Sequence, residues 1–85
     1  MAKYSIEFKK SAVKELNELD NTVIKKIVSK IKSLANNPRA PGCIKLTSEE
    51  RYRLRIGNYR ILYEIIDERL VIYIVKVAHR RDVYK

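Results

Sequence analysis

The stretch Arg51-Tyr52-Arg53-Leu54-Arg55-Ile56-Gly57-Asn58-Tyr59-Arg60-Ile61-Leu62-Tyr63-Glu64 decides the fold of this chain. Side chains alternate across an extended strand, so Arg51, Arg53 and Arg55 share one face while Tyr52, Leu54 and Ile56 take the other. Gly57-Asn58 between two such runs is a two-residue hairpin signal, and it sets Ile56 opposite Tyr59. The rest of the register follows by counting. Arg55 falls opposite Arg60, Leu54 opposite Ile61, Arg53 opposite Leu62, Tyr52 opposite Tyr63 and Arg51 opposite Glu64. Like charges opposed on a sheet cost some tenths to about 1 kcal/mol. Only Arg51 and Glu64 relieve one another, so an anion is expected at the other arginines.

Outward from this hairpin, Tyr4, Ile6 and Phe8 alternate with Ser5 and Glu7 as a first strand. Ala12, Val13, Leu16 and Leu19 then follow helical spacing, and Val23, Ile24, Ile27, Val28, Ile31, Leu34 and Ala35 continue it. Asp20-Asn21-Thr22 between them ends one helix and N-caps the next. Asn36-Asn37-Pro38 stops the second helix, and Pro38 to Gly42 reads as a turn-rich connection into Ile44-Lys45-Leu46 and a polar loop. Strands over Arg51–Ile56, Tyr59–Ile66 and Leu70–Ala78 complete the chain. The expected fold is α+β: one N-terminal strand, two antiparallel helices, then three antiparallel strands, with both helices on one face of the sheet. The other face, bearing Arg53, Arg55 and Arg60, is left open.

The last strand offers two registers. A three-residue turn over Asp67-Glu68-Arg69 sets Lys76 beside Arg60 and leaves Ile72 and Ile74 on the open face, whereas a two-residue turn buries Lys76. The first is preferred because it avoids an unpaired buried ammonium, and it predicts an exposed apolar strip for a partner to cover.

The 85 residues make one domain, 1–85, with a small core, since a chain this short buries only about 60 to 65% of its unfolded surface. Nineteen Lys and Arg against ten Asp and Glu give a net charge of +9, spread over both halves, which favours a polyanionic partner. Cys43 is the sole cysteine and His79 the sole histidine, so an intrachain disulfide and a structural zinc site are not expected. A reducing cytoplasm fits. The longest apolar run, Leu70 to Val75, is too short to span a bilayer, and no signal-peptide core begins the chain. Cys43, Tyr52, Tyr59, Tyr63 and Tyr73 read as packing residues. Lys9, Lys10, Lys14, Lys25, Lys26, Lys30 and Lys32 read as the wet faces of the helices, open to nonspecific contact with RNA phosphates.

After the last strand come His79, Arg80, Arg81 and Tyr84. In a helical turn Tyr84 lies four residues after Arg80 and three after Arg81, on one side with both. RNA cleavage by internal transesterification needs a base for the 2′-hydroxyl, positive charge against the phosphorane and an acid for the departing 5′-oxygen. Arginine supplies the charge, through forked donors that match phosphate oxygens, but does not transfer protons. Tyr84 and His79 are the candidates for that. An unperturbed tyrosine titrates near ~10 and neighbouring cations favour its phenolate. The arginines supply the charge that a metal otherwise would, so neither a divalent metal nor another cofactor is expected.

The pattern from Tyr52 to Glu64, together with Val77-Ala78-His79-Arg80-Arg81-Asp82-Val83-Tyr84, resembles RelE of the RelE/ParE toxin superfamily. The likeness runs over nearly the whole chain. It implies a type II toxin-antitoxin toxin: a ribosome-dependent endoribonuclease (mRNA interferase) that cuts messenger RNA in the A site, inhibits translation, and is silenced by a RelB-like antitoxin. It also implies an active site at Arg53, Arg55, Arg60, Arg80 and Tyr84, with Lys45, His79 and Arg81 as secondary RNA contacts. RelE commonly carries lysines where this chain has Arg53 and Arg55, and members longer than this one continue beyond the position of Lys85 into a final helix. A ParE-like poison of DNA gyrase with the same fold, and a basic module that holds RNA without cutting it, are the competing expectations.

Overall fold

The computed structural model describes residues 3–39, 43–46 and 51–79. The order is β1 (Ser5–Phe8), α1 (Lys10–Asn17), α2 (Asn21–Leu34), β2 (Cys43–Lys45), β3 (Arg51–Ile56), β4 (Tyr59–Ile66) and β5 (Val71–His79). One five-stranded sheet results, in the order β1-β5-β4-β3-β2. The short strand β2, not among the strands expected from the sequence, pairs antiparallel with β3 through Cys43 and Leu54, Ile44 and Arg53, Lys45 and Tyr52. The first strand lies parallel to β5, which the long crossover through both helices permits.

Gly57 carries φ +58° while Asn58 does not enter the left-handed region, the φ pattern of a type II′ hairpin turn. That turn delivers the pairing counted from the sequence, from Ile56 with Tyr59 to Arg51 with Glu64. Both helices follow the apolar spacing: Ala12 and Leu16 of α1, and Ile27, Ile31 and Leu34 of α2, are buried. They meet Leu54, Ile61, Tyr63, Ile72, Ile74 and Val77 of the sheet. Each fully buried Ile, Leu or Val contributes about 1.5 to 3 kcal/mol. Asp20 holds the N-cap position of α2 with an extended backbone, but its side chain makes no capping hydrogen bond.

Tyr63 is completely buried, and its hydroxyl donates to the Pro38 carbonyl at 2.7 Å, which satisfies the polar end of a core residue. Burial pushes its phenol far above the ordinary tyrosine range. Its ring stacks on Tyr52 at 5.7 Å between centroids. Cys43 and Tyr59 also pack against the core, whereas Tyr73 stands on the opposite face across from Glu64.

The last strand departs from the preferred register. Ile66 pairs with Val71 around a four-residue turn, and the pairing then slips at a β-bulge between Tyr63–Ile74 and Leu62–Lys76, leaving Val75 as the extra residue. Ile72 and Ile74 therefore face the helices and are fully buried, so the apolar strip expected from them on the open face does not exist. Lys76 still emerges on the open face, now opposite Leu62 and not Arg60. A bulge resets the alternation. Two isoleucines reach the core and an ammonium stays wet, a combination that neither regular register allows.

Candidate functional site

Paired residues on an antiparallel sheet share a face, so the open face can be read as rows across strands. Nearest the hairpin turn, Arg55 of β3, Arg60 of β4 and Ala78 of β5 form one row. The next row holds Ile44 of β2, Arg53, Leu62 and Lys76. Below it, Arg51 pairs with Glu64, its Nε donating to Glu64 Oε2 at 3.1 Å. That pair is partly exposed and contributes no more than about 1 kcal/mol. It also removes Arg51 from the set of cations available to a ligand.

Arg55 is exposed and Arg53 half-buried, but Arg60 retains only 5% of its accessible surface. It stands on the central strand β4, with Arg55 and Ala78 directly opposite it on the two neighbouring strands. A guanidinium does not escape burial by losing its proton. Arg60 therefore stands as a buried positive charge beside the more exposed Arg53 and Arg55, a set of charges suited to an oxyanion.

Not every residue expected at the site stands on this face. Lys45 is opposite Tyr52 and so projects to the helix side at the β2 edge. His79 is opposite Tyr59, also on the helix side, with the two rings edge to face at 5.0 Å and 89°. Arg80, Arg81 and Tyr84 lie outside the described residues. The structure thus brings together Arg53, Arg55 and Arg60, and sets Lys45 and His79 on the reverse face.

One group was not foreseen as part of this surroundings. Glu15 of α1 reaches the edge of β5 beyond the end of β1, accepting the Val77 N–H at 3.0 Å and the Lys76 ammonium at 2.8 Å. The β1–β5 ladder stops at Phe8 and Ile74, so a backbone donor farther along β5 needs another acceptor. Glu15 provides it. The signal was in principle readable, since an acidic side chain on α1 is the first carboxylate after the strand that leaves this edge bare.

Among the described residues, Arg53 and Arg55 are the accessible arginines of these rows and Arg60 the buried one. A shallow groove of about 610 Å³ lies on the other side, between Lys25, Lys26, Ser29, Lys30 and Ser33 of α2 and Ile56. At the opposite end of the sheet from the hairpin turn, Arg39 donates to Asp67 Oδ2 at 2.9 Å and to the Tyr52 hydroxyl at 3.1 Å, and the Tyr4 hydroxyl donates to Asp67 Oδ1. This cluster ties the chain entry, the α2 exit and the β4–β5 turn together, away from the arginine rows.

The fold agrees with that of known proteins. The sequence matches the family described as ParE toxin of type II toxin-antitoxin system, parDE, over residues 6–84. It is 33% identical to a putative RelE-like toxin protein of Escherichia coli, covering 96% of this chain and 90% of that one. It is 29% identical to the mRNA interferase toxin RelE of E. coli strain K12, over 91% of this chain and 83% of the relative. The toxin-antitoxin complex RelBE2 of Mycobacterium tuberculosis contains a chain that superposes with a TM-score of 0.82 at 28% identity, covering 92% of this chain and 99% of that one. The chain belongs to the RelE/ParE family of type II toxin-antitoxin toxins, and the relatives and solved structures it matches are of the RelE type. No helix among the described residues is long and apolar enough to cross a membrane.

Proposed function

We propose that this toxin is an mRNA interferase that cuts messenger RNA in the ribosomal A site by 2′-hydroxyl transesterification. The observation that carries the reading is the convergence of Arg53, Arg55 and Arg60 on one open sheet face, with Arg55 and Arg60 directly opposed. Such crowding is unfavourable without an anion. The relative from E. coli named as an mRNA interferase adds the reaction class.

In this mechanism Arg53, Arg55, Arg60 and Arg80 hold the non-bridging oxygens of the scissile phosphate and stabilise the phosphorane. A base removes the 2′-hydroxyl proton, the O2′–P bond forms, and the P–O5′ bond breaks as the 5′-oxygen takes up a proton. Tyr84 is assigned the base. His79, at the end of β5, is the other group able to move a proton, and must turn from Tyr59 to do so. Arg81 and Lys45 serve flanking RNA, Lys45 from the far side of the β2 edge. No cofactor enters the scheme. A RelB-like antitoxin is the proposed partner in the resting state, as in the RelBE2 complex of the structural neighbour, laid on the open arginine face in place of RNA.

Primer extension on ribosome-bound message after addition of the protein tests the reading. Cuts confined to the A site are expected, with Tyr84→Phe slowing cleavage by about 10² to 10⁴-fold while melting as wild type does. A Tyr84→Phe variant cutting at the wild-type rate shows that Tyr84 is not the base. Because the matching family carries the ParE name, intact messages with double-strand DNA breaks in expressing cells would assign the protein to gyrase instead. Salt-sensitive RNA affinity with no cleaved product on programmed ribosomes would leave a binding module.

A further inference from the structure

We propose that Lys76 is an RNA-phosphate contact of this same face, docked on Glu15 until RNA arrives; the proposal rests on the reading of the arginine rows as an RNA site. Lys76 shares a row with Arg53, with Leu62 between them. Two inter-strand steps of about 4.8 Å separate their backbones, so the two cations flank the apolar Leu62 about 10 Å apart at their roots. Arg60 is its diagonal neighbour on β4. A strand of RNA held by Arg53, Arg55 and Arg60 at one phosphate thus passes a further cation toward the β5 edge.

The ammonium is engaged but not committed. Its bond to Glu15 Oε2 measures 2.8 Å, yet the Lys76 side chain remains 48% exposed and Glu15 28%. Ion pairs of that exposure are weak and readily exchanged. Lysine, a point charge on a flexible four-carbon stem, can swing between two anions where a forked guanidinium would be tied to one. Glu15 does not depend on it, because Oε1 is anchored separately on the Val77 N–H. When Lys76 leaves, the carboxylate stays on β5 and the strand edge stays closed. The bulge at Val75 makes this possible, since it turns Lys76 out to the open face while Ile74 stays in the core.

The test uses the full chain and a short, uncleavable 2′-O-methyl RNA oligonucleotide, with dissociation constants measured across a salt series. Wild type should bind, and Lys76→Gln should bind more weakly with the slope of log affinity against log salt reduced by about 0.7, one single-strand phosphate contact. Lys76→Arg should keep the slope. Glu15→Gln, whose amide oxygen still accepts from Val77, should bind more tightly, and that gain should vanish in the Glu15→Gln/Lys76→Gln double variant. Thermal melting of each variant confirms that it is folded. Wild-type binding with an unchanged slope in Lys76→Gln overturns the role of Lys76 and leaves the proposed function standing. A Glu15→Gln gain that persists in the double variant likewise overturns it, as a general charge effect. No binding by the wild type overturns both.

Discussion

Arg60 and Arg55 show how one residue type takes different work from its position. They oppose each other across the hairpin, yet Arg60 on the central strand β4 is buried and Arg55 on β3 is exposed. The buried guanidinium gives a charge whose location is set by the sheet; the exposed one adapts to the ligand. Asp67 belongs to the same scale. The Arg39 guanidinium, and then the Tyr4 hydroxyl, hold its carboxyl below the ordinary value of 3.8, while Asp67 in turn raises the Tyr4 phenol above 10.0. The lowered carboxyl adds stability that is fully present above about pH 4 and is lost as the pH falls through its folded value. The raised phenol adds stability that is present below about pH 10 and is lost as the pH rises through its own. Thermal melts from pH 7 down to pH 2 should therefore show a steeper fall in Tm for wild type than for Asp67→Asn, with the variant already lower at pH 7. Parallel curves would remove Asp67 from the acid transition.

At the scale of elements, the β3–β4 hairpin positions the site, and its turn depends on a backbone that L side chains rarely adopt. A Cβ added at Gly57 meets nothing within 4 Å, so Gly57→Ala should cost only the left-handed conformation, about 1 to 2 kcal/mol. Urea unfolding measures it, and an unchanged midpoint would mean that the turn can be made another way. The bulge in β5 is the second device. A regular strand would have placed either Lys76 inside or Ile72 and Ile74 outside, and the extra residue Val75 reconciles the two. Alternation alone carries no sign of an inserted residue, so the sequence offers only the two regular registers. The face taken by Lys45 was hidden for a related reason: β2 is three residues long, and only its pairing with β3 says which of them points where.

For the whole molecule, a charge of +9 on 85 residues makes any RNA partnership electrostatic in its range and its salt response. Arrest of cell-free translation should require more protein as potassium chloride rises, with a log-log slope of several times 0.7 if several phosphates are contacted. A flat response across the salt series would show that the cations do not face RNA. The four lysines Lys25, Lys26, Lys30 and Lys32 occupy a helix without a single acidic residue, so much of this charge lies away from the arginine rows. It adds to the general attraction of a polyanion.

What the sequence determined by itself was local: the helices through their apolar spacing, the β3–β4 register through the Gly57-Asn58 turn, and hence the sharing of one face by Arg53, Arg55 and Arg60. These follow from bonds and alternation within a few residues. The parallel seat of β1, the pairing of β2, the bulge that sends Ile72 and Ile74 into the core, the burial of Arg60 and the grip of Glu15 on Lys76 were decided only in three dimensions. Each depends on which segments distant in the chain compete for the same strand edge or the same apolar volume, and that competition is settled by packing.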